Sequence, residues 1–470
     1  MTTHTVRYLS SVELVERYLS FFRVHGHSEL AGSPLVPPGG TSFVIAGMQP
    51  LLPYLRGEVT PPSRRLTALQ RCLRTDDVDA VGTNGSKNTS FFMLGNWSIG
   101  NYGKREAIEM ANEFLFGQLG LDRSKLWVTV FEGNPELCLL PDEDAIEAWQ
   151  RVGMPREHIV QLGMEDNFWT MGEGPGPCGP NSEIFVDRGT ELGCGLPTCQ
   201  PGCSCERFIE IWNLVFMDFE RLPDGSLVPL PQRNIDTGMG LERIGVVLQE
   251  VESVFSIDLF QPANECLQEL VPQGVAGGGS VEQRARRMIV DHTRAVLLAG
   301  LAGVGPGRDG RNSVVRRLIR RAARQGRILG VNRPFLHELV VPLAQGHGSL
   351  LTPEEHTRVS SIMHVITNEE KLFERVLTTG LRYLEQLEPD ERGLIPGEQL
   401  FKLHAEKGFP ADLASEVLAD HGLSVDWTGY ERMSEEHRKV SRVSVEKHFH
   451  DSFGADTPLF QRGEEAPPPC

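Results

Sequence analysis

The chain has no uninterrupted apolar run of the ~18 residues that a membrane-spanning helix needs. Nor does it open with the basic-then-apolar pattern of a secretory leader. Both absences give a cytoplasmic expectation, with no membrane partner. Positive charge is in deficit: 46 Lys and Arg stand against 63 Asp and Glu, a net charge of −17. Such a chain has no bulk attraction to nucleic acid, so any RNA contact must come from a local basic face. No internal repeat is present. Nine cysteines are an odd number for a secreted disulfide framework, and four crowd into one short loop, which favours reduced thiols or metal. With 470 residues the chain can hold two or three domains, each with its own core.

What is there begins with Ile235-Asp236-Thr237-Gly238-Met239-Gly240-Leu241-Glu242-Arg243-Ile244. An apolar lead-in and an acid precede a Gly-x-Gly bend, and an acid-base pair opens an apolar helix. Glycines at 238 and 240 permit φ > 0 or close approach of a ligand. Arg243 falls in the first helical turn, where a planar cation can lie on a base or pair with phosphate. Upstream stand Phe208-Ile209-Glu210-Ile211-Trp212-Asn213-Leu214-Val215-Phe216-Met217, Asn167-Phe168-Trp169 and Gly176-Pro177-Cys178-Gly179-Pro180-Asn181-Ser182-Glu183. In this order the segments resemble the catalytic domain of alanyl-tRNA synthetase, a class II synthetase. Residues 236–243 are similar to that family's third motif.

The resemblance implies an α+β fold: a class II antiparallel β-sheet flanked by helices, followed by an all-helical domain. It implies a catalytic domain over 1–248 with a Cys-rich insert at 194–205. A helical domain resembling the family's acceptor-stem reader covers 249–445, and a polar tail over 446–470 is expected to be disordered. Residues 10–25 read as an amphipathic helix capped by serine. Phe43-Val44-Ile45-Ala46-Gly47-Met48 reads as a short buried strand similar to the first motif, which in the family builds a dimer; Ile45 replaces its usual asparagine. A helix is expected at Lys104–Phe116, a strand at Leu126–Phe131 and a second helix near Glu143–Val152.

By the same resemblance, Arg74 grips the α-phosphate of ATP and the amino-acid carboxylate. Carboxylate attack on the α-phosphorus needs a fixed cation over the spreading charge, and a guanidinium supplies one without proton transfer. Phe91 underlies the adenine, opposite Arg243, so the nucleotide set is Arg74, Phe91, Gly238, Gly240 and Arg243, with Arg74 and Arg243 as catalytic groups. Trp169 and Val215 wall the amino acid and Asp236 accepts its ammonium, beside Gly238. ATP and Mg²⁺ are the implied cofactors. The partners are an amino acid and tRNA, or an aminoacyl-tRNA held by its 3′ adenosine end.

Several positions depart from the family pattern. The loop from Arg74 to Gly82 is short and carries Asp76, Asp77 and Asp79 in place of basic residues, which weakens phosphate contacts there. The family's Arg-His-His becomes Ser86-Lys87-Asn88, and its following acid becomes Phe92. Two base-reading positions fall at Gly310, ahead of Arg311-Asn312-Ser313, and at Ala405, neither of which can hydrogen-bond a base edge. In the helical half, Arg316, Arg317, Arg320, Arg321, Arg324 and Arg327 are spaced to share one face, and Arg316, Arg317, Arg320 and Arg324 are the candidate tRNA contacts. Nothing resembles the family's editing domain.

Cys194, Cys199, Cys203 and Cys205 follow C-x4-C-x3-C-x-C among Gly and Pro. Four thiolates can close a tetrahedral structural zinc site; free cysteines are the other reading. Three functions stand open. The pocket with the altered acceptor positions leads to a repurposed enzyme that moves an aminoacyl group to a small amine-type acceptor in a specialised natural-product pathway. A minimal alanine–tRNA ligase without proofreading is the alternative, and a non-catalytic paralogue the third.

Overall fold

The computed structural model describes residues 8–37, 42–171, 174–272 and 279–437. The expected tail at 446–470 and most of the Gly-rich link at 275–280 lie outside the described residues. The chain divides into two compact units, Met1–Glu370 and Lys371–Cys470.

The first unit is built on one sheet. Its strands are β1 Ser28–Glu29, β2 Arg65–Leu73, β3 Ser90–Ile99, β4 Leu126–Phe131, β5 Ile159–Leu162, β6 Phe168–Trp169, β7 Gly176–Asp187, β8 Phe208–Arg221 and β9 Leu227–Gly240. They run in the order β1-β2-β3-β9-β8-β7-β4-β5, with β6 pairing to β7 beside that path. The edges β1–β2 and β4–β5 are parallel and the interior is antiparallel. The expected helix-flanked antiparallel sheet is therefore present.

Alternate residues of the central strands face opposite ways, and the two faces are covered unequally. Phe92, Leu94, Leu214, Phe216, Ile235 and Met239 point into the main core, shared with the helices Ser11–Val24 and Ser280–Leu301. The other face carries a smaller cluster that includes Ala46, Met48, Trp97, Val215 and Met217. This thinner cover leaves room for a cavity.

The helix Ser11–Val24 starts as expected, with Ser10 at its cap and Glu13 closing a capping box. The helix at Lys104 widens to π geometry over Glu113–Gln118. The expected strand at 43–48 does not form. Val44 makes single backbone bonds to two neighbours, its N–H to Leu35 O and its O from Leu73 N–H, while Ala46 O and Met48 O accept from the turn residues Gln49 and Leu51, so no ladder forms. A 3₁₀ turn at Gln49–Leu51 follows, where Pro50 supplies no N–H to a ladder. The second unit holds the end of the helix Pro353–Leu384, the helices Gly397–Lys407 and Ala411–Asp420, and a short parallel pair, β10 Leu394–Ile395 with β11 Ser424–Val425.

Candidate active site

A cavity of about 280 Å³ opens on the thinly covered sheet face. Registration explains what lines it. Across β3, β9, β8 and β7 the pairs Trp97↔Asp236, Asp236↔Val215, Gly238↔Asn213 and Asn213↔Glu183 put those side chains on one face. Phe91 and Met93 continue that face along β3, and Ile211 continues it along β8. Arg74 enters from the end of β2, Trp169 from β6, and Arg243 from the helix Leu241–Leu248 that follows β9. Eight residues expected in the site from sequence, Arg74, Phe91, Trp169, Val215, Asp236, Gly238, Gly240 and Arg243, thus line one cavity.

Asp236 is buried, and the indole Nε1–H of Trp97 donates to its Oδ1 at 2.6 Å. Burial pushes its carboxyl up to about 7, and the indole bond draws it partly back. A carboxylate with so little local compensation is suited to an incoming cation.

Arg243 donates from Nη1 to Glu210 Oε2 at 2.6 Å and from Nε to Ser86 O at 3.3 Å. Arg74 donates from Nε to Ile45 O, and its guanidinium lies 4.9 Å from the centre of the Phe91 ring. Sequence reasoning missed Met93, Trp97, Asn213 and the acids Glu183 and Glu210. Counting by twos from Phe91 and Val215 along their strands reaches the first three. Glu183 accepts from Asn213 Nδ2 at 2.9 Å, and burial, then the nearby Glu210, raises its pKa well above the carboxylate range.

Of the two roles open to the glycines, positive φ is not used, while both line the cavity. Neither Gly238 nor Gly240 has positive φ, and Gly240 sits at −75°. At Gly238 a Cβ would lie 2.8 Å from Met93 Sδ, so the missing side chain makes space for a protein neighbour. Glu242 points away from solvent: it accepts the Phe92 N–H at 3.1 Å and pairs with Arg294 Nη1 at 2.7 Å. This buried pair fixes the helix Leu241–Leu248 to β3 and to the helix Ser280–Leu301.

The loop between β2 and β3 is also anchored. Thr89 N–H donates to Asp291 at 2.9 Å, Asp77 lies 3.7 Å from Lys87, and Asp79 pairs with Arg321. The arginine face of the helix Gly310–Ile328 is turned inward. Arg320, Arg321 and Arg324 are buried, and Arg320 pairs with Glu369 at 2.7 Å; Arg316 and Arg317 are half-buried. Of the six arginines, Arg320, Arg321 and Arg324 are thus buried while Arg316, Arg317 and Arg327 stay half-exposed, so the face is only partly open to solvent. Gly310 has φ +55° at the start of the helix, and the Asn312 side-chain amide donates to Gly305 O at 2.7 Å. Ala405 is exposed in the second unit.

In the β7–β8 connection, Cys194, Cys199, Cys203 and Cys205 bring their sulfurs within 4.8 Å of one another. Cys178 is buried beside Phe131 and Phe168, and burial pushes its thiol up to about 11.

The profile of the family described as tRNA synthetases class II (A) matches residues 13–461. The chain belongs to this family. Alanine–tRNA ligases from Thermoanaerobacter sp. (strain X514) and Caldicellulosiruptor saccharolyticus are each 41% identical, over 92% and 93% of this chain. The ligase from Acetivibrio thermocellus is 40% identical over 94%. The chain spans about half the length of these curated relatives: 49%, 49% and 50%. Among the described residues no helix is long and apolar enough to cross a membrane.

Proposed function

We propose that this class II synthetase activates alanine with ATP and transfers it to tRNA-Ala. The observation that carries the proposal is the single cavity holding Asp236, a buried carboxylate, together with the two arginines Arg74 and Arg243. Asp236 receives the alanine ammonium, and Trp169 and Val215 close around the methyl group. The alanine carboxylate oxygen attacks the α-phosphorus, and pyrophosphate leaves. Charge spreading over the α-phosphate is met by Arg243, placed beforehand by Glu210 and Ser86 O, and by Arg74, which moves to it from the Phe91 ring. Phe91 and Arg243 hold the adenine between them once Arg74 swings from the ring to the phosphate. The terminal ribose hydroxyl of the tRNA then attacks the alanyl carbonyl, and AMP leaves.

The acids suit magnesium. Glu183 and Glu210 bring two carboxylates to the cavity, and Mg²⁺ is commonly held by one or two carboxylates plus substrate phosphates. The ion would supply positive charge to the triphosphate. The raised Glu183 fits a place where a cation is expected, since two neighbouring carboxylates are costly to ionise together.

In this reading residues 1–248 form the catalytic part, and residues 249–445 approach the tRNA acceptor end. A second reading, delivery to a small amine-type acceptor, draws on Gly310 and Ala405, which lack base-reading side chains, and on Asp79, which engages Arg321 within the chain. The ligase relatives favour the first reading. Charging of tRNA-Ala with labelled alanine separates the two. Alanyl-tRNA formation supports the ligase; adenylate formation without charging moves the acceptor to a small molecule.

A further inference from the structure

The β7–β8 connection is a metal knuckle that sets the position of the cavity's upper loop, we propose. Cys199 Sγ lies 3.5 Å from Cys205 Sγ, and Cys203 Sγ lies 3.6 Å from Cys194 Sγ. Four thiolates around one zinc at Zn–S of about 2.3 Å have sulfurs about 3.8 Å apart at tetrahedral angles. The observed separations sit near that edge and far above a disulfide bond of about 2.05 Å. All four sulfurs converge, rather than two separate pairs. The chain around them has little core of its own: Cys194, Gly195, Leu196 and Gly202 are exposed. Such a segment needs a cross-link to hold one shape.

The knuckle is joined to the cavity by the residue after its last ligand. Glu206 Oε1 accepts the Gly85 N–H at 2.9 Å, while Gly85 O accepts from Val254 N–H at 2.9 Å. The next residues, Ser86, Lys87 and Asn88, line the cavity, and Ser86 O accepts from Arg243. At the base of the knuckle Arg207 holds Asp187 through two hydrogen bonds of 2.9 and 2.6 Å, joining the ends of β7 and β8. Zinc bound to the four thiolates would therefore fix the Glu206 backbone, and Glu206 would fix Gly85 and the loop over the nucleotide. The metal is structural and takes no part in the reaction.

The test uses the full chain purified without added metal. Metal content and free thiols are measured first, then amide hydrogen exchange at residues 85–88. One zinc per chain, released by a thiol-blocking mercurial, and a tetrahedral thiolate spectrum after cobalt exchange are expected. Two disulfides, or four free thiols with no metal after zinc is supplied, would overturn the site. Glu206→Ala, which removes the acceptor of the Gly85 N–H, should keep the zinc yet speed exchange at 85–88 several-fold. Cys203→Ser should lose the metal and speed exchange equally, with no further increase in the double variant. Should Cys203→Ser fail to fold, chelation of the wild-type protein gives the same comparison. Unchanged exchange in Glu206→Ala, or after metal removal, would overturn the coupling. Neither readout depends on what the cavity binds, so this proposal and the ligase proposal fail separately.

Discussion

Trp97 and Asp236 face each other across β3 and β9, and the indole N–H reaches the carboxylate at 2.6 Å. Gly47 and Gly95 crowd the ring from either side: a Cβ on Gly47 would lie 3.0 Å from the indole, and one on Gly95 would overlap it. The only charged side chain at this point of the sheet row is thus held in place before any substrate arrives.

Protonation of Asp236 should control alanine binding. Its carboxyl titrates near 7, raised by burial, so the ionised form that receives an ammonium fades below that pH. The KM for alanine should rise about tenfold per unit as pH falls below 7, while the KM for ATP changes less. A pH profile of both constants checks this; a flat alanine profile between pH 5.5 and 7 contradicts it.

The same residue should burden the free protein. Its folded pKa lies above the ordinary 3.8, so stability is fully present below 3.8, declines as pH rises from there, and the loss is complete above about 7. Asp236→Asn should therefore raise the urea midpoint of the free protein at pH 8 and leave it nearly unchanged at pH 4. Alanine activation should fall by more than a hundredfold. Lower stability at pH 8 would mean that the carboxylate is compensated in the free protein.

Glu242 and Arg294 form a pair with almost no solvent exposure, 1% and 0%. Glu242→Gln should cost about 3–5 kcal/mol, because it strands a buried guanidinium. Adding Arg294→Met should recover part of that loss. Urea unfolding of the three variants measures it, and additive losses would show that the two residues act independently.

Gly238→Ala separates binding from folding. Its φ is not positive, so the backbone accepts a side chain, and the collision is with Met93 Sδ, the far end of a flexible side chain. Met93 must then move within the cavity it lines. A several-fold rise in substrate KM with little change in unfolding midpoint is expected; a large loss of stability with unchanged KM contradicts it.

Much of this architecture was legible. The serine cap at 10 and the strand-to-helix turn at Gly240 are local signals, and the structure repeats them. The strand expected at 43–48 does not form because its apolar run leads into Gly47 and Pro50, which suit a turn better than a ladder. Period-2 alternation was present for Met93 and Asn213, but which strands lie side by side is a long-range fact that no local pattern carries. The arginines of the helix Gly310–Ile328 show the same limit. Their spacing defines a face, yet Asp79 and Glu369, which make an inward face tolerable, lie far away in sequence.

Arg74 and Arg243 should each be needed where the charge spreads, and replacing either by lysine should lower kcat by about a hundredfold to a thousandfold. The most direct test is amino-acid-dependent exchange of labelled pyrophosphate into ATP, run without tRNA across the proteinogenic amino acids. Exchange with alanine above all others is expected, lost in Asp236→Asn and strongly reduced in Arg243→Lys. No exchange with any amino acid, in protein shown to be folded, would contradict it.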